Sequence, residues 1–111
     1  MSWDLYWRCP TCGESKDVGN YTHNTNEMLR VASLKVAGTR LDWKDLEGKT
    51  PSEVRTWARS VANELESNPA AYDPFNPENG WGSRATVIRF LRRVADASED
   101  VKAELIFEAS G

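Results

Sequence analysis

The chain of 111 residues holds only two cysteines and one histidine. Two cysteines are too few for a zinc site built of four thiolates, so any structural zinc needs other donors. No apolar run approaches the roughly 20 residues that span a bilayer, and no membrane partner is expected. The opening residues, MSWDLYWRC, lack the basic stretch followed by an apolar stretch that marks an export signal. A cytoplasmic, reducing setting is therefore expected. Positive charge is scarce as well. Fourteen Lys and Arg face seventeen Asp and Glu, a net charge of −3. That balance argues against general nucleic-acid binding, which relies on neutralising phosphates with a positive surface. Internal repeats, low-complexity segments, nucleophile–base signatures and phosphate-binding loops are all missing, so no catalytic residue is assigned.

The remainder suits a folded domain. Hydrophobic residues make up 40% of the chain and include five tryptophans, enough for one core. The length suits one domain, residues 1–111. Residues 3–8, WDLYWR, alternate Trp3, Leu5 and Trp7 with polar neighbours, the pattern of a half-buried strand. A turn at CPTCG and a weaker strand over about 16–22 complete a hairpin within residues 1–22. A helical part follows over 25–98. Its first helix is capped by Thr25 or Asn26, buries Met28, Leu29, Ala32 and Val36, and stops at Gly38. In the second helix Thr50 and Glu53 form a capping box, Pro51 holds the first position, and Val54, Trp57, Ala58, Val61 and Leu65 form one stripe. Ser83 caps the third, which turns Val87, Ile88, Leu91, Val94 and Ala95 inward. Residues 101–108, VKAELIFE, alternate as a last strand. The order ββαααβ predicts an α+β fold, a small antiparallel sheet with three helices packed on one face.

The cysteines stand as Cys9 and Cys12 in WRCPTCGE. Two thiolates at i and i+3 on a turn have the chemistry of a zinc knuckle. Zinc is the cofactor this spacing suggests, with His23 as a third ligand once the hairpin forms. Asp4, Glu14, Asp17, water or a group from another chain are open as the fourth. A redox dithiol and a plain turn that binds nothing are the competing readings.

Two polar loops end where helices begin: YTHNTN at 21–26 and NPENGWGS at 76–83. Helix N-termini present unpaired N–H groups and partial positive charge, which attract anions and carbonyl oxygens. Glycines on both sides of Trp81 allow close backbone approach, and Asn79 before Gly80 favours a left-handed turn. Arg84 opposes the dipole of its own helix, so an acid such as Glu78, or a ligand, should balance it. If both helix mouths lie at one end, His23, Asn24, Glu78, Asn79, Trp81 and Arg84 form a polar ligand site. The competing reading makes Trp81 a core plug.

Together WDLYWRCPTCG, NYTHNTNEMLR and NPENGWG resemble a group of small uncharacterised proteins of bacteriophages and their bacterial hosts. The likeness covers most of the chain, and Thr22, His23, Asn24 and residues 76–82 match its motif positions. It implies a shared site without naming a ligand. The expected function is a binding module, a phage-type accessory or counter-defence protein that holds a small polar or anionic ligand, or a host protein, between the two loops. One alternative is a small metal-assisted enzyme that uses His23 with the Cys9–Cys12 knuckle. Another is an interaction protein, including a homodimer, whose Trp3 and Trp7 face another subunit.

Overall fold

Strand β1, Ser2–Arg8, pairs antiparallel with β2, Ser15–Thr22, and the register runs from Ser2 opposite Thr22 to Arg8 opposite Ser15. The structure, a computed structural model, describes residues 2–76 and 82–110, and of His23 the backbone alone. Pro77, Glu78, Asn79, Gly80 and Trp81 lie outside the described residues. The hairpin tip is closed by Cys9 N–H to Glu14 O at 2.8 Å and Gly13 N–H to Cys9 O at 3.0 Å. Gly13 takes φ +76°, a conformation that glycine adopts without steric cost. Strand β3, Ile106–Ser110, pairs antiparallel with the other side of β1, giving the order β2-β1-β3 with β1 central.

The last strand starts later than the alternation of 101–108 suggests. Leu105 N–H turns back to Lys102 O, so residues 101–105 form a turn. Phe107 is held on its outer side by the segment before the second helix: Gly48 N–H donates to its carbonyl, and its own N–H donates to Lys49 O. Pairing on both sides sets the strand where the side-chain pattern alone does not.

Helix α1 spans Asn26–Ala37 and ends at Gly38, whose left-handed backbone lets its N–H reach Leu34 O. Helix α2, Pro51–Ser67, carries the complete Thr50–Glu53 capping box. A short α3, Pro69–Tyr72, interrupts what reads as a proline-rich loop, and its Tyr72 hydroxyl donates to Glu64 at 2.7 Å. Helix α4, Arg84–Ser98, starts from Ser83, whose hydroxyl accepts from Thr86 N–H. No helix among the described residues is long and apolar enough to cross a membrane.

The long helices α1, α2 and α4 cover one face of the sheet, and Leu5, Trp7, Tyr21, Phe107 and Ala109 meet them there. At the centre lies Trp43, in the connection between α1 and α2. Its ring meets Tyr21, Trp57, Phe90 and Phe107 at centroid distances of 5.4, 5.3, 5.7 and 5.9 Å. Aromatic edges and faces at these separations add to the area they bury. Trp7 is fully buried against Phe107, and Trp3 packs partly buried on the same core. Trp7 is therefore not a contact for another subunit. Val36, expected inside, stands out with Leu34 on the exposed side of α1, because Ser33 takes the inner position in that turn.

Candidate functional site

Strand β2 runs straight into a single tight turn, His23–Thr25, and then into α1. Thr25 occupies the cap position of α1 but does not cap it. Its hydroxyl donates instead to the buried Tyr21 hydroxyl at 2.6 Å, and Asn26 makes no cap either. Burial raises the Tyr21 pKa far above the ordinary phenol range, so the hydroxyl stays protonated. Within the turn, Asn24 N–H donates to Thr22 Oγ1 at 3.3 Å, and the Asn24 side chain is exposed.

The mouth of α4 is more fully occupied by its own chain. Of its unpaired amides, Arg84 N–H donates to Asn76 Oδ1 at 2.8 Å and Thr86 N–H to Ser83 Oγ at 3.3 Å. The Arg84 guanidinium turns back to Asp73 Oδ1 at 2.8 Å and to Leu65 O, near the end of α2, at 3.0 Å. The acid that balances Arg84 is thus Asp73, assisted by the negative end of α2, where the expectation named Glu78 or a ligand. Arg84 is structural here, and little of this helix mouth is left for an anion.

The two loops nevertheless meet. A Cβ added to Gly82 would lie 3.0 Å from Thr25 Cγ2 and 3.4 Å from Thr22 Cγ2, and Gly82 has φ +100°. Glycine is required there by backbone conformation and by close approach together. Beside this contact opens a cleft of about 260 Å³ between the end of β2 and the first turns of α4. Tyr21, Val87 and Phe90 give it apolar walls, and Thr22, Thr25 and Thr86 give it hydroxyls. Phe90 reaches it by lying over Gly19, where a Cβ would stand 3.4 Å from the ring. None of the described lining residues carries a charge.

Of the expected ligand residues, Asn24 stands at this junction, and Arg84 sits beside it with its charge directed elsewhere. The His23 side chain, Glu78, Asn79 and Trp81 lie outside the described residues. Phe90, Val87 and Thr86 were not among the expected residues. Gly19 within a strand signals a close neighbour, and Thr86, Val87 and Phe90 share one side of a helix, but no local pattern brings the two together.

A wider cleft of about 460 Å³ lies elsewhere, between the end of α1 and the flank of α2, with Val36, Leu41, Leu46 and Trp57 on its walls. It is larger, but none of its described lining residues belongs to either motif loop, so the smaller cleft is the better candidate.

At the opposite end of the hairpin, Cys9 Sγ accepts from Cys12 N–H at 3.3 Å and lies 3.3 Å from Thr11 Oγ1. Both cysteines are free thiols, Cys9 buried and Cys12 exposed. Hydrogen bonds from the Cys12 thiol, the Thr11 hydroxyl and the backbone N–H groups of Cys12 and Thr11 lower the Cys9 pKa to about 6. The thiolate is the form that binds metals.

His23 does not complete this knuckle. Thr22 pairs with Ser2, whereas the knuckle follows Arg8, six residues along the strand. At ~3.3 Å per residue that separation is roughly 20 Å. The ten residues between Cys12 and His23 are spent on a strand that leads away from the tip. The trio Cys9, Cys12 and His23 therefore does not assemble within one chain, and an enzyme that joins His23 to the knuckle loses its basis. Among the described residues, no group of three or more His, Cys, Asp or Glu is placed to hold a metal ion. Comparison with protein-family models, curated proteins and solved structures returns no match.

Proposed function

We propose that this chain is a binding module that holds a small, uncharged polar ligand where the YTHNTN and NPENGWGS loops meet. The observation that carries this reading is the approach of Gly82 to Thr22 and Thr25 beside the cleft. Apolar walls with a few hydroxyls suit a ligand that has one flat apolar part and one hydrogen-bonding edge. An anionic ligand is disfavoured, because Asn76 and Ser83 occupy amides of α4 and Asp73 neutralises Arg84. By the motif likeness, His23, Asn24, Asn79 and Trp81 are the residues assigned to this ligand. A phage-type accessory or counter-defence role belongs to the same proposal and rests on the motif likeness.

Thermal melting against uncharged nucleobases and nucleosides, with the matching monophosphates as anionic controls, tests the reading. A ligand at 100 times its Kd stabilises the fold by about 2.7 kcal/mol, a shift of several degrees in a domain of this size. At least one uncharged compound should produce that shift. Thr86→Phe fills the cleft from an exposed position and should abolish it without loss of folding. No response to any compound, or an undiminished response in Thr86→Phe, would sink the proposal.

A further inference from the structure

The geometry points to the hairpin tip as one half of a tetrathiolate site for a divalent thiophilic cation such as zinc, completed by Cys9 and Cys12 of a second copy of this chain. The donor pair is formed before any metal arrives. Cys9 and Cys12 share one turn, and the backbone bonds from Cys9 to Glu14 and from Gly13 to Cys9 hold it closed. Cys12 N–H and the Thr11 hydroxyl both lie against the Cys9 sulfur, where they stabilise a bound or free thiolate. Two thiolates fill only half of a tetrahedral zinc shell. The hairpin register carries His23 to the far end, and no third donor joins the pair among the described residues.

The tip itself is accessible. Residues 10–16, Cys12 among them, are exposed and directly follow the buried Cys9, so two tips can approach head to head. A two-fold axis through the metal makes each copy supply the same two sulfurs, the symmetry of most homodimers. One zinc per two chains follows directly. Binding releases whatever protons the four thiols still hold, so affinity should fall as the pH is lowered.

The test uses the full chain, reduced, stripped with chelator and then titrated with zinc chloride under light scattering. The expected result is a doubling of mass that completes at half an equivalent of zinc and reverses with chelator. Cobalt(II) in place of zinc should give the intense charge-transfer and visible bands of a tetrahedral thiolate site, with the same endpoint. Cys12→Ser changes an exposed side chain, should fold normally by circular dichroism, and should lose both signals. Zinc bound one to one by a monomer, no zinc binding at all, or a dimer that survives chelation and Cys12→Ser would each overturn the proposal.

Discussion

Trp57 is one of the residues by which α2 joins the core, and its replacement has a calculable cost. Its ring is 6% exposed and meets Trp43 edge-on at 5.3 Å. Its indole N–H donates to Ser33 Oγ at 2.9 Å, and Ser33 in turn donates to Thr39 O at 2.9 Å. Trp57→Ala removes the largest side-chain type from the core, a change that costs about 3–5 kcal/mol. The value should fall near the lower end, because Trp57 also borders the open cleft beside α1 and water can enter the vacated space. Trp57→Phe keeps a ring against Trp43 but loses the indole donor. Ser33 retains its own bond to Thr39, so that variant should lose about 1–2 kcal/mol, close to one hydrogen bond plus some packing. Urea denaturation followed by circular dichroism measures both, and an unchanged slope would confirm that the compared states are the same. A cost below about 1 kcal/mol for alanine, or equal costs for alanine and phenylalanine, would refute the reasoning.

Two further outcomes are expected. Gly82→Ala should lower stability by about 1–2 kcal/mol, since a strained positive φ and a crowded Thr25 methyl outweigh the small gain from a stiffer unfolded chain; a raised melting temperature would contradict the loop contact. Burial alone would raise the Asp42 pKa, but hydrogen bonds from Arg30 and Asp45 outweigh it and hold the carboxyl below its usual value. The stability Asp42 contributes is therefore complete above the ordinary carboxylate range and is lost as pH falls through its depressed value. Asp42→Asn should be less stable at pH 7 and lose less on acidification, as read from melting temperatures between pH 7 and 2.

Features decided by neighbours in sequence were legible. The Thr50–Glu53 box, the alternation of β1 and the Ser83 cap all depend on residues within four positions of one another. Features decided across the fold were not. Thr25 looks like a cap because its type is right, yet Tyr21 claims its hydroxyl from the preceding strand. Arg84 showed the need for an acid, but which acid depends on how the chain from α2 returns past α4. Spacing left only ten residues between Cys12 and His23 without saying in which direction those residues run, and an extended strand takes them away from the tip. Trp43 stood in an unassigned connection because nothing periodic surrounds it. Its importance appears only once five rings from separate segments gather.

The central position of β1 carries a consequence for the nascent chain. One neighbour, β2, follows within a few residues, but the other, β3, is separated from it by about a hundred, as the Arg8–Glu108 pair shows. At ~5–20 residues per second, a ribosome needs roughly 5–20 s to supply that second neighbour. Throughout that interval one edge of β1 has no ladder partner, and the inward faces of Leu5 and Trp7 have no Phe107 or Ala109 beside them. A two-stranded hairpin is marginal in water, and an unpaired apolar edge is a template for association with other chains. Synthesis thus leaves the middle of the sheet exposed the longest, and its protection waits on the last strand to be made.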